Sequence, residues 1–313
     1  MIVTITLNAS LRVGYEAERV DWGASNRVTR VLYRAGSGGL AAARVLRAFG
    51  HDVVAAGLAG GTAGELIKAD LARSGVDTRF TTISGESRRI LEVADAERGQ
   101  TTILNEPAPY ITTEELGRFA ADYRKLMTEA TVVVLCGSLP ASLPPEIYGS
   151  LTSYAAEAGV PTIIDAGGSA LRYGVSRRPA LAIPDPDGSP RLPGQAEQAG
   201  PAGPGHVDAA ALAAAGAGAV AVVSGHDIRA VTATQEWRAT LDGHAGLPAS
   251  RDAQVAGLIA AVVPGWSWPD TLRHAVALGA VADSDGYVDL DAYEMLLAEV
   301  SVLPSDATME PPR

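Results

Sequence analysis

The sequence predicts an α/β protein built on a mostly parallel sheet with helices on both faces. Three observations carry this. From Thr112 onward, short continuous apolar runs (131–136, 161–165, 180–183) alternate with helical stretches. Runs without polar–apolar alternation are buried on both faces, the pattern of a parallel sheet. Near the C-terminus, residues 246–263 pass from a turn-rich approach holding Pro248 and Ser250, through Asp252, into an apolar helix kept thin by Ala256, Gly257 and Ala260. Finally, 47% of the 313 residues are hydrophobic and 19% charged, enough for a sizeable core in one large domain.

In chain order, residues 1–7 read as a strand. Residues 12–34 are polar and β-rich, with Val20, Trp22, Val28, Val31 and Tyr33 spaced as short strands. Residues 35–39 form a glycine-rich hinge into a helix over 40–49 that Gly50 stops. A buried strand over 51–58 and a turn at 60–62 precede a helix over 62–74, with Leu66, Ile67 and Leu71 on one face. Strands follow at 79–83, 88–93 and 101–104, then a helix over 113–128. Helices over 144–158 and 207–215 separate further strands, and 219–224 leads into a hairpin over 228–241. Helices over 253–263, 270–282 and 290–300 complete the domain, 1–303. Residues 184–206, rich in Pro and Gly, read as a mobile loop, and 304–313 as a frayed tail.

Ligands of parallel sheets sit at the carboxyl ends of the strands. Gly137-Ser-Leu-Pro140, Asp165 and the loop after Ile183 therefore fall on the ligand-facing edge. The net charge of −11 argues against nucleic acid and anionic membrane as partners. Cys136 is the single cysteine, which excludes an internal disulfide or a cysteine metal cluster. The first residues lack a basic n-region and no apolar run reaches membrane-spanning length, so a cytoplasmic location is expected. Asp252 at a helix mouth reads either as an ordinary N-cap or as a carboxylate beside an anion site made by free N–H groups.

Motifs along nearly the whole chain, about 2–282, add to this reading. They are Thr6-Leu-Asn8; Ala35-Gly36-x-x-Gly39 followed by Ala43-Arg-Val-Leu46; Thr102-Ile-Leu-Asn-Glu-Pro107; Gly137-Ser-Leu-Pro140; Asp165 with Gly168 and Leu171; and Asp252-Ala-x-Val-Ala-Gly257. In order and spacing they resemble the PfkB branch of the ribokinase-like sugar kinases, most closely the 1-phosphofructokinase and tagatose-6-phosphate kinase group. The resemblance implies a ribokinase-like three-layer αβα sandwich with a small β lid, here expected from 8–34 and 79–105. It implies transfer of the γ-phosphoryl of ATP, with Mg²⁺, to a hydroxyl of a sugar or sugar phosphate. Asp252 would be the base, and Ala249, Ser250 and Arg251 would stand where backbone N–H groups hold the migrating phosphoryl. Ser224 and Gly225 would meet the nucleotide. Asn8, Arg12, Gly36, Gly38, Gly39, Arg88 and Ser138 would meet the substrate.

The chain also departs from the family pattern. Gly-Ala-Gly before the base reads Ala249-Ser250-Arg251, where Arg251 could instead clamp a phosphate. The sugar motif Gly-Gly-Lys-Gly-x-Asn reads Gly36-Ser-Gly-Gly-Leu-Ala41, without Lys or Asn. An early substrate Asp becomes Arg12, and the Asn two places after the lid Arg is Ile90. The Lys-Pro-Asn-x-x-Glu motif tied to Mg²⁺ placement reads Ile183-Pro-Asp-Pro-Asp-Gly188, whose Asp185 and Asp187 read as solvated carboxylates or as cation holders through water. The nucleotide loop Ser-x-Gly-x-x-Gly reads Ser224-Gly-His-Asp-Ile-Arg229. Arg12, Arg88 and Arg27 suit either a basic pocket under the lid or surface ion pairs.

The remaining groups have plainer readings. His226 reads as a solvated loop residue, and His51, His206, His244 and His274 lack metal-ligand spacing. Cys136 reads as a small core residue and Trp266 and Trp268 as a hydrophobic staple. Two functional expectations follow: a sugar kinase whose ordinary turnover is weak or absent, or a non-catalytic homologue that binds a small ligand or a protein. Exposed lid edges imply a homodimer.

Overall fold

The computed structural model describes residues 1–36, 38–185, 208–241, 249–262, 264–282 and 288–304. Its larger sheet follows from the apolar runs. The strands β1 (Ile2–Thr6), β4 (Val53–Gly60), β8 (Val132–Cys136), β9 (Thr162–Ala166) and β10 (Leu181–Pro184) are buried at every residue. Strands with no wet face need helices on both sides, and they have them. One core cluster packs Leu40, Ile67, Leu258 and Leu272 against one face, and another packs Phe119, Tyr148, Leu171 and Ala209 against the other.

The sheet has ten strands in the order β14-β13-β12-β11-β10-β9-β8-β1-β4-β5. From β5 (Asp77–Ile83) to β11 (Ala219–Ser224) neighbours run parallel. The strands β12 (Asp227–Thr232), β13 (Glu236–Thr240) and β14 (Ser301–Pro304) continue it antiparallel. The first gives the expected hairpin with β13. The last was not expected: 301–303 follow the expected helix without an assigned element and Pro304 opens the expected tail, and four residues with a terminal proline carry too little pattern to be seen. The chain winds outward in opposite directions from β1 and β8, so the crevice past their carboxyl ends is the topological switch point of the sheet.

A second sheet, in the order β3-β2-β6-β7, is the lid: β2 (Ser10–Ala17), β3 (Arg30–Gly36), β6 (Arg88–Asp95) and β7 (Gln100–Asn105). Two expectations are corrected. Residues 79–83 were placed in the lid, but β5 pairs parallel with β4 at the edge of the large sheet. An edge strand is wet on one side, so its alternating burial imitates a lid strand. Val20, Trp22 and Val28 lie in the connection between β2 and β3, not in strands, and Trp22 is exposed.

The helices are α1 (Gly38–Ala48), α2 (Gly61–Arg73), α3 (Thr113–Met127), α4 (Ile147–Glu157), α5 (Gly168–Val175), α6 (Ala209–Ala214), α7 (Arg251–Val262), α8 (Trp268–Val281) and α9 (Leu290–Leu297). Local chemistry sets several ends. Thr112 and Glu115 form a reciprocal capping box at α3, and Ser267 caps α8 with Pro269 in its first turn. Leu66 of α2 is exposed while Ile67 and Leu71 are buried, narrowing the expected apolar face. Trp268 packs partly buried against the core, while Trp266 is exposed and its ring stands T-shaped to His274 with centroids 5.2 Å apart. The thinness of α7 is used: a Cβ on Gly257 would stand 2.7 Å from the Ala275 backbone of α8.

The lid is tied to the body by one carboxylate. Buried Asp70 of α2 accepts from the Ala35 N–H at the end of β3 and pairs with Arg34, Arg44 and Arg73. The expected loop at 184–206 and tail at 304–313 lie almost wholly outside the described residues, as do His206 and His244. Among the described residues no helix is long and apolar enough to cross a membrane.

Candidate active site

Between lid and sheet, at the switch point, lies a cleft of about 480 Å³. Its floor is built from strand ends. Asn8 follows β1 and Ser138 follows β8, and the Asn8 amide donates to the Ser138 hydroxyl at 3.2 Å. Gly38 at the start of α1, Asp185 after β10 and Ser169 at the start of α5 complete it. The roof comes from the lid: Arg12 of β2, Arg88 of β6 and Asn105 of β7.

The polar atoms here are not matched by the protein. Thr6 Oγ1, Asn8 Oδ1, Arg12 Nε and Arg88 Nε are buried without a hydrogen-bond partner. Buried polar atoms are nearly always satisfied, so four in one cleft mark a place shaped for a polar ligand. Arg12 lies 3.0 Å from Glu92 Oε1, an ion pair without hydrogen-bond alignment. Arg88 is 9% exposed, and burial lowers its pKa with no carboxylate opposing. Of the alternatives left open for the arginines, ion pairing describes Arg12 and a pocket position describes Arg88.

Asp252 does not cap α7. The helix starts at Arg251, and the Ser250 hydroxyl accepts from the Ala253 N–H at 3.3 Å, which leaves the Asp252 carboxylate free to turn elsewhere. It turns toward α1. A Cβ on Gly38 would lie 3.4 Å from Asp252 Oδ1 and 3.2 Å from Asp165 Oδ2, so glycine there leaves both carboxylates a gap opening on the cleft. Burial and the neighbouring Asp165 charge raise the Asp252 pKa, opposed by Arg251, Arg12 and Arg44. A raised pKa makes this carboxylate a stronger base than an ordinary aspartate.

Arg251 faces Asp165, donating to it at 2.7 Å and to the Pro184 carbonyl at 3.3 Å. Burial opposes its charge, but Asp165 and, behind it, Asp185 and Asp252 hold its pKa above the ordinary arginine value. Of the four N–H groups that open α7, that of Ser250 donates to the Gly279 carbonyl and that of Ala253 to the Ser250 hydroxyl. The N–H groups of Arg251 and Asp252 remain, half of what a bare helix start offers an anion. Ala249 precedes them, half-buried.

The other sequence-predicted residues divide. Gly36 ends β3 opposite Ser10 in the lid hinge, and Gly39 packs α1 onto β1 and β8, where a Cβ would meet Thr6 and Cys136 within 3 Å. Cys136 is buried, as expected of a core residue. Ser224 and Gly225 form the exposed β11–β12 turn, outside the cleft lining. Gln254, fully buried, joins that turn to α7 through a 2.8 Å bond to the Gly225 carbonyl. Sequence reasoning passed over Gln254 and Ser169, and gave Asn105, quoted within the 102–107 motif, no place in the site. The Gln254 position carries a signal, since a polar residue interrupts an otherwise apolar helix.

This geometry can be set beside known proteins. Residues 12–224 match the profile of the pfkB family carbohydrate kinases. Tagatose-6-phosphate kinases from two strains of Staphylococcus epidermidis are 35% identical over 171 residues, which is 55% of this chain and 54% of theirs, so the chain aligns with about half the length of these relatives. Phosphofructokinase-2 from Escherichia coli, solved with fructose-6-phosphate, superimposes with a TM-score of 0.78 at 21% identity, over 95% of this chain and 98% of that one. A carbohydrate kinase from Agrobacterium tumefaciens gives 0.70 at 16% identity, over 96% and 99%. These last two likenesses are of fold: the two-sheet α/β architecture expected from the sequence is theirs. The chain belongs to the pfkB family of carbohydrate kinases.

Proposed function

We propose that the cleft binds a sugar phosphate and that Asp252 is placed to take the proton of its reacting hydroxyl, with turnover far below that of an ordinary sugar kinase. The observation that carries the substrate class is Arg88, a buried guanidinium with no carboxylate, roofing a cleft with three other unmatched polar atoms. A charge-assisted bond from it to a phosphate contributes about 1.5–3 kcal/mol. Asn8, Ser138 and Asn105 offer neutral donors and acceptors for hydroxyls.

The slow turnover follows from the start of α7. Two of its four opening N–H groups are already claimed, and losing one oxyanion donor costs roughly 10²–10³ in rate. Enzymes of this family generally use ATP with Mg²⁺. A phosphate fits the two remaining N–H groups and the Ser224–Gly225 turn that Gln254 braces. Mg²⁺ fits poorly. No group of three His, Cys, Asp or Glu side chains able to hold a metal occurs among the described residues, and Arg251 already neutralises Asp165.

Calorimetric titration with tagatose 6-phosphate and fructose 6-phosphate, against the unphosphorylated sugars, tests the reading. Binding confined to the phosphorylated sugars and weakened about 10–100-fold by Arg88→Gln is expected. Equal binding of the free sugars would sink the substrate class. Turnover within tenfold of an ordinary kinase, abolished by Asp252→Asn, would sink the slow-turnover reading. Sugar-phosphate binding with no measurable turnover would favour a non-catalytic binder, a reading that the Arg251–Asp165 pair supports.

A homodimer through the lid also belongs to this reading. Val31 and Tyr33 of β3 and Ile103 and Leu104 of β7 are exposed apolar side chains on its two outer strands. Light scattering at the mass of one chain would count against it.

A further inference from the structure

The start of α7 carries a feature that the family pattern does not supply. Two carboxylates stand there beside Gly38, Asp165 from β9 and Asp252 from α7, and Asp185 after β10 is near enough to act on the same guanidinium. Mg²⁺ at a phosphate site takes one or two carboxylates and fills its remaining positions with water and phosphate oxygens. In this chain a guanidinium stands among the carboxylates. Arg251 holds Asp165 at 2.7 Å and reaches the carbonyl of Pro184, which lies in the segment the family resemblance ties to Mg²⁺ placement. A metal ligand would need Asp165 Oδ1 free, and it is occupied.

We propose that Arg251 is a resident cation: it neutralises the Asp165–Asp185–Asp252 cluster in place of a divalent metal, so a phosphate chain reaches the start of α7 without one. The guanidinium is equipped for both tasks. It has five N–H donors, and its bonds to Asp165 and Pro184 use those of Nη2. Nε is buried without a partner. The N–H groups of Arg251 and Asp252 open the helix beside it, so fixed positive charge and free donors face the same space. The electrostatics agree, because the three carboxylates together hold the Arg251 proton more tightly than water does, despite burial. The inference concerns the phosphoryl-donor end of the site; it shares Asp252 and the cleft-floor residue Asp185 with the proposed sugar-phosphate site, but its readouts use ATP and Mg²⁺ without sugar, so either can fail alone.

The first measurement uses the metal alone. Differential scanning calorimetry of the whole chain with and without about 10 mM Mg²⁺ should leave the wild-type midpoint unmoved, while Arg251→Gln, which frees Asp165, should gain a metal-dependent rise. The second is calorimetric titration with ATP in EDTA and in Mg²⁺. Wild-type affinities within about twofold of each other are expected, with Arg251→Gln binding at least tenfold more weakly in EDTA than in Mg²⁺. Should Arg251→Gln fail to fold, Arg251→Lys keeps the charge without the fork, and it should bind ATP more weakly while staying indifferent to Mg²⁺. A wild-type midpoint raised by Mg²⁺, an ATP affinity strengthened tenfold by the metal, or no ATP binding in either buffer would each overturn the proposal.

Discussion

Two sets of arginines in this molecule are treated in opposite ways. At the root of the lid, one buried carboxylate, Asp70, takes Arg34, Arg44 and Arg73 together with the Ala35 N–H. In the cleft a few residues away, Arg88 is buried with no carboxylate, and Arg12 has only Glu92 at an awkward angle. Burying a guanidinium is costly, and the first set offsets that cost inside the protein. The second leaves that cost, for Arg88, without an internal carboxylate to offset it. Partnering therefore separates the two sets here, where burial does not: Arg44 and Arg88 are both under a tenth exposed.

Breaking the matched set should have the largest effect. Asp70→Ala would strand buried Arg44 and release the end of β3, an expected loss of about 3–5 kcal/mol in urea unfolding. A loss below about 1 kcal/mol would mean that water already shares the Asp70 carboxylate, and the contrast between the two sets would fall.

A second way to sharpen the comparison is to charge a group that the fold keeps neutral. His274 lies in the aromatic cluster with Phe49, Trp266 and Tyr293, and burial lowers its pKa to about 4. The unfolded chain takes up this proton near pH 6.5 and the folded chain only near 4, so stability falls as pH drops through that window, by about 3 kcal/mol at most. Glu115, held down to about 2 by the Thr112 and Ser84 backbone N–H groups, acts in the same direction: its contribution is lost as pH falls from 4.5 toward 2. Unfolding free energies measured from pH 7 to 2 on the wild type and His274→Phe check this. The substitution should flatten the curve between 6.5 and 4 and leave the lower loss in place.

The smallest effect should come from the unmatched set. Arg88→Gln removes a buried charge that nothing inside the protein offsets, so unfolding stability should stay within about 0.5 kcal/mol or rise, while sugar-phosphate affinity collapses. A loss of 2 kcal/mol or more in the free protein would show Arg88 to be structural, and the comparison would fail from the other side.

Much of the fold was legible in the sequence because its determinants are local. The continuous apolar runs of β8, β9 and β10, the Thr112–Glu115 capping box and the small residues of α7 each act within a few positions. The site was legible in part. Asn8, Arg12, Gly38, Arg88 and Ser138 were named from motifs, and they line one cleft. Sequence alone determined most strands and helices, though not β14 or the connection over 18–29, and that a parallel sheet must be covered on both faces. Tertiary structure decided what depends on partners far along the chain. Whether 77–83 joins the sheet or the lid turns on pairing with β4, and the edge-strand pattern fits both. That Arg251 meets Asp165, 86 residues away, and that burial beside Asp165 raises the Asp252 pKa, are facts of distance and desolvation. Charge interactions act through space, and no spacing within the sequence encodes them.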